Sequence, residues 1–116
     1  MSSEISTKEM GLTLSESFYD EGRTKPQSRG YVDSAGNKTG GWTYWYDNGH
    51  CRAKGSHNVN GNRTGVWTEW HENGNFRATG RYNDGYPEGE WTYGYENGSL
   101  EFKSYYNAGI FLCPTL

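Results

Sequence analysis

Val66-Trp67-Thr68-Glu69-Trp70-His71-Glu72-Asn73-Gly74 decides the fold, because the chain carries it three times. Gly41-Trp42-Thr43-Tyr44-Trp45-Tyr46-Asp47-Asn48-Gly49 stands before it, and Glu90-Trp91-Thr92-Tyr93-Gly94-Tyr95-Glu96-Asn97-Gly98 after it. Trp42, Trp67 and Trp91 are 25 and 24 residues apart, and the Asn-Gly pairs keep the same steps. Gly55 and Gly80 recur at 25, as do Gly40 and Gly65, while Gly61, Gly85 and Gly109 follow at 24. A fixed period of this length marks supersecondary units that cannot bury a face alone and therefore stack.

Each unit predicts an antiparallel hairpin. Asn-Gly accepts positive φ at both central positions of a type I′ turn, the strongest short-range hairpin signal. The first strand is expected from the Trp to the residue before that turn, and residues 58–65 as a second, longer turn. Alternation places Trp42, Tyr44 and Tyr46 on one face, with Thr43 and Trp45 on the other. Trp91, Tyr93 and Tyr95 repeat the first set. The returning strands carry Phe76, Ala78, Gly80 and Tyr82, then Leu100, Phe102, Ser104 and Tyr106. A glycine recurring inside a strand marks a close approach, so aromatic rings are expected over Gly55 and Gly80.

A weaker copy comes first. Phe18-Tyr19-Asp20-Glu21-Gly22 matches Trp45-Tyr46-Asp47-Asn48-Gly49, Ser15 holds the Trp position, and residues 23–28 carry an insertion. An atypical terminal unit suits a cap. The division is a loose segment 1–13, a repeat domain 14–109 (units 14–40, 41–65, 66–89 and 90–109), and a tail 110–116 expected to fold over the last hairpin.

Composition agrees. Of 116 residues, 32% are hydrophobic but 16% are aromatic, with 17 Gly. Too few aliphatics exclude a helical bundle, and the aromatics exclude plain disorder. The net charge of −3 gains nothing from phosphate counterion release, so nucleic acid is not expected as a partner. No stretch approaches the roughly 20 apolar residues of a membrane span, and no basic-then-apolar leader is evident at the N-terminus. A cytoplasmic protein with two free thiols, Cys51 and Cys113, is expected.

No phosphate loop, dinucleotide fingerprint, paired CxxC or nucleophile elbow is present. The expectation is a non-enzymatic chain without cofactor or metal. Glu69, His71 and His57 share the Trp67 face by alternation, and are candidates for a secondary binding site or, by ligand type alone, for zinc. The opposite face is expected to carry Trp45 and Trp70 beside Arg52, Lys54, Arg77 and Arg81, the residue types of interface hot spots. Ordinary solvation of a strand face, with Arg-Trp contacts, accounts for the same residues. The partner expected there is another protein. A small molecule stacked on aromatic rings is the alternative, followed by a membrane-surface scaffold, and the tail offers a contact for a second copy of the chain.

Residues 15–110 resemble the MORN-repeat variant family, whose units read Gly-x-Trp-x-x-Tyr-x-x-Asn-Gly, then Gly-x-Tyr-x-x-Gly. The match is clearest at 67–83 and 91–107. It departs at His71 and His57, each in an aromatic position, and at Ser104 in a glycine position. The resemblance implies an elongated, twisted, single-layer antiparallel sheet. It also implies a role as a bacterial antitoxin or immunity-type inhibitor that occludes a toxin or effector, whereas the small-molecule alternative would suit a phage counter-defence factor.

Overall fold

The computed structural model describes residues 11–107 and the backbone of 110–111. The expectations for residues 1–10, for Cys113 and for the tail beyond Phe111 lie outside the described residues. The chain forms one antiparallel sheet whose nine strands follow chain order: β1 (Thr13–Phe18), β2 (Pro26–Val32), β3 (Lys38–Trp45), β4 (Cys51–His57), β5 (Arg63–Trp70), β6 (Phe76–Asn83), β7 (Tyr86–Gly94), β8 (Leu100–Asn107) and β9 (Ile110–Phe111). β9 adds its short backbone to the edge of β8, pairing Tyr106 with Phe111 and Asn107 with Ile110. The radius of gyration is 16.3 Å and the long axis 48 Å. A compact chain of this length would have a radius near 13 Å, so the sheet is open and elongated.

The corners correct the expected turn. Tyr46 N donates to the His50 carbonyl at 2.8 Å and Gly49 N to the Tyr46 carbonyl at 3.0 Å. Gly49 has φ +92°, while Asn48 is not left-handed. Each Asn-Gly corner is thus a type I turn followed by a glycine bulge rather than a type I′ turn. Asn48 Oδ1 accepts from His50 N at 2.9 Å, which holds the Asn backbone in place. Asn48 Nδ2 reaches the next corner, donating to the Glu72 carbonyl at 2.7 Å, and Asn73 Nδ2 does the same to Glu96. Asparagine thus holds each corner through Oδ1, and in the first two also ties it to the next through Nδ2.

The second turns are not longer. Residues 58–62 repeat the corner geometry, with Asn58 N donating to the Asn62 carbonyl at 2.8 Å and Gly61 at φ +83°. The two-residue turn appears instead at Asp84-Gly85, with φ +48° and +90°. That turn is one residue shorter, which accounts for the step of 24 after one of 25. In the first unit the insertion moves the left-handed position to Arg23, at φ +58°, and Asp20 Oδ1 holds the loop by accepting from Thr24 N and Lys25 N.

The core is one layer of rings flattened on glycines. A methyl at Gly30 would lie 2.2 Å from the Trp42 ring, at Gly55 2.1 Å from Trp67, and at Gly80 2.1 Å from Trp91. Each indole then donates its Nε1–H to the carbonyl of the residue after that glycine: Tyr31 at 3.0 Å, Ser56 at 2.9 Å and Arg81 at 3.2 Å. Left-handed Gly40, Gly65 and Gly89 (φ +66° to +73°) sit where the pairing with the preceding strand shifts, and tilt each Trp back over it. Trp67 is 0% exposed, and Ala53, Ala78 and Ser104 are buried with the tryptophans. Ser104 stands where glycines stand earlier, and no Trp follows it at 115 or 116. A side chain is tolerated there.

Candidate functional site

On the tryptophan face the rings close over one another. His57 lies edge-on between Trp42 (6.4 Å) and Trp67 (5.2 Å), and Tyr82 edge-on between Trp67 (6.3 Å) and Trp91 (5.1 Å). Lys38 Nζ sits 4.9 Å over Trp42, and the Arg63 guanidinium 4.2 Å over Trp67. Four residues before Trp91, the matching position is Pro87, so the third unit carries no cation there.

Strict alternation misplaced two of the expected binding residues. Each return strand carries an extra residue where Trp45 pairs with Cys51 and Trp70 with Phe76. The bulge brings the extra residues, Arg52 and Arg77, to the tryptophan face. There Arg52 lies 5.5 Å over the Tyr44 ring and Arg77 reaches Glu69 at 4.0 Å. The sequence gives no bulge signal at this point beyond the Gly of the corner. Lys54 pairs with Thr43, and Arg81 with Val66, on the opposite face as expected. Trp45 and Trp70 are also there but half-buried rather than exposed. Phe76 joins them, its ring in the volume that a side chain at Gly94 would need.

Glu69 and His71 line one depression of the tryptophan face, but His57 does not join them. His71 Nε2 donates to the Gly94 carbonyl at 2.8 Å, one rung of a series in which Tyr19 Oη donates to Trp45 and Tyr46 Oη to Trp70, each at 2.7 Å. His71 therefore stands in for a tyrosine. These residues, like Tyr46, sit at the corner beyond the strand and tie units together. His57 Nδ1 donates to the Gly61 carbonyl at 2.9 Å, and Glu69 pairs with Arg63 at 3.6 Å. Among the described residues no three His, Cys, Asp or Glu side chains group as metal ligands.

Burial holds the His57 pKa below its ordinary 6.5; the Gly61 hydrogen bond opposes this, and the Lys38 and Arg63 charges add to it. Among the described residues its buried Nε2 has no hydrogen-bond partner. Between the folded-state pKa and about 6.5 the unfolded chain binds the extra proton, so stability rises with pH across that window and is lost as pH falls through it. Melting temperature is expected to drop from about pH 7 to about pH 5, and His57→Phe should flatten that part of the profile. An unchanged slope in the variant would remove His57 as the cause.

Two depressions lie side by side on the tryptophan face. One, of about 280 Å³, is lined by Lys38, Tyr44, Arg52, Ala53, Arg63, Glu69 and Arg77. The other, of about 410 Å³, is lined by the rings of Tyr82, Trp91, Tyr93, Phe102 and Tyr106, with Pro87, His71 and Glu101. Glu69 and Arg77 line both. Tyr93 stacks on Phe102 at 4.8 Å and shares a 2.9 Å hydrogen bond with Tyr106. Burial first, then that bond, pushes the Tyr93 phenol up to about 12, so it is a neutral hydroxyl at any ordinary pH.

The opposite face carries an apolar row beside the Asn-Gly corners: Trp45, Cys51, Trp70, Phe76 and Leu100, the last 69% exposed. Burial raises the Cys51 thiol above its ordinary value, and Cys51 is free. Asp47, Glu72 and Glu96 occupy equivalent exposed places in successive corners beside this row, Asp47 with Lys25 3.8 Å away. No family model, curated protein or solved structure matches the chain.

Proposed function

We propose that the chain is a non-catalytic binding module of the antitoxin or immunity type, a MORN-like repeat sheet that occludes a basic partner protein. The observation that carries this is the apolar row Trp45-Trp70-Phe76-Leu100 with an acidic border at Asp47, Glu72 and Glu96. Interfaces of standard size have this anatomy, an aromatic centre inside a charged rim. The centre supplies affinity once water is excluded, and the rim steers a partner of opposite charge. The sheet is held by tryptophan clips on its other face and so meets the partner without reordering, which keeps the entropic cost of binding low.

The test uses the protein as bait in extract from its native host. Wild type is expected to retain a basic protein that salt elutes. Trp45→Ala and Trp70→Ala should each weaken that complex by more than about 1 kcal/mol while leaving the circular dichroism unchanged. Retention of the same protein by the double variant with undiminished affinity would show that this face is not the interface.

A further inference from the structure

Three of the differences among the repeats fall on the tryptophan face around the last hairpin. Where the earlier units place Lys38 and Arg63, the last has Pro87; where they place Arg52 and Arg77, it has Glu101; where they place Ala53 and Ala78, it has Phe102. Stacked copies would give the tryptophan face a uniform lining. Instead one half of its groove is cationic, and the other is walled by aromatic rings with Glu101 in its lining. Four of the chain's eleven Lys and Arg converge on the cationic half, against one carboxylate, in a chain of net charge −3. Among the described residues neither Lys38 nor Arg52 has a carboxylate partner. Lys38 is held over Tyr44 by a 2.7 Å bond to its hydroxyl, and Arg63 is held by Tyr82 and Glu69. Lys38 and Arg52 are thus positioned without a neutralising carboxylate, while Arg63 and Arg77 share the single charge of Glu69.

We infer that this groove is a nucleoside phosphate site, with phosphates among Lys38, Arg52, Arg63 and Arg77 and the base against the Tyr82-Tyr93-Phe102 wall. Guanidinium groups bind phosphate oxygens with paired, charge-assisted hydrogen bonds. The ring-lined half falls within the ordinary size range of ligand pockets, roughly 300–1,000 Å³, at about 410 Å³. Glu69 lines both halves, where a ribose would lie between base and phosphate, and a carboxylate accepts from ribose hydroxyls. Its charge is already balanced by Arg63 and Arg77, so it does not repel the phosphates. The site lies on the face opposite the protein-binding row and does not depend on it.

Titration calorimetry with inorganic pyrophosphate and with adenosine, guanosine, cytidine and uridine diphosphates tests the assignment. At least one diphosphate is expected to bind with Kd below about 1 mM, at least about tenfold more tightly than pyrophosphate, and to weaken with added salt. Arg52→Ala/Arg77→Ala should cost about tenfold or more for both ligand types, and because both side chains are exposed the fold should survive, as circular dichroism would show. Arg52→Gln alone gives a smaller loss in the same direction. Trp45→Ala/Trp70→Ala should leave nucleotide binding unchanged, so this site and the protein interface succeed or fail separately. No binding by any of the four nucleotides, pyrophosphate binding as tightly as the best of them, or normal binding by both arginine variants would each overturn the assignment.

Discussion

Trp67→Ala is expected to cost about 3–5 kcal/mol, the range for deleting a large buried ring. Domains of this kind hold only about 5–15 kcal/mol in total, and a sheet with one ring layer belongs at the lower end. The loss has several sources in the structure. Trp67 is completely buried, it is flattened on Gly55, and it touches Tyr44 and His57 of the preceding unit and Tyr82 of its own. Its removal leaves the Ser56 carbonyl without its 2.9 Å donor and the Arg63 guanidinium without the ring beneath it. Urea denaturation should show a much lower midpoint, or no folded baseline at all. A loss below about 1 kcal/mol would mean that the tryptophan clips do not hold the stack.

The second large effect comes from adding one carbon. Gly55→Ala places a methyl 2.1 Å from the Trp67 ring, which must leave both its glycine and its hydrogen bond. Overpacking usually costs about 1–3 kcal/mol, and here the upper end or more is expected because the displaced ring is the most buried in the molecule. Gly41→Ala is the control. Nothing lies within 4 Å of its added carbon and its backbone is not left-handed, so a change within about 0.5 kcal/mol is expected. Combined with Trp67→Ala, the Gly55 substitution should add little, since the ring it strikes is gone. Full additivity in a double-mutant cycle would show that the two residues act independently.

Much of this architecture is legible in the sequence. The tryptophan spacing defines the units, alternation places Trp42, Tyr44, Glu69 and Tyr93 on one face, and the in-strand glycines locate the rings now seen over Gly55 and Gly80. Local details were not legible, for physical reasons. Asn-Gly serves both two-residue and bulged turns, so the pair alone does not choose between them, and the Asn48 to Glu72 bond is one that no isolated hairpin contains. The bulges at Arg52 and Arg77 depend on how the Gly-terminated corner feeds the return strand, and one extra residue carries a charge from one face to the other. That shift split the expected Trp-Arg surface into an apolar row on one side and a cationic groove on the other. His57 and His71 drew notice as titratable groups, yet each fills a tyrosine position and spends one ring nitrogen on a backbone carbonyl.

Strand order that equals chain order has a kinetic consequence. Every pairing in the sheet joins segments adjacent in the chain, so no step of folding waits for a remote stretch to diffuse back. Relative contact order is therefore low for an all-β protein, and refolding should outpace that of sandwiches of similar length. Growth can start at any hairpin and spread in both directions, each new hairpin stabilised by the one already formed beside it. Under tension along its long axis the same arrangement yields by peeling, one hairpin at a time. Each 25-residue period then releases roughly 80 Å of extended chain, so the molecule would lengthen in even steps instead of giving way at once.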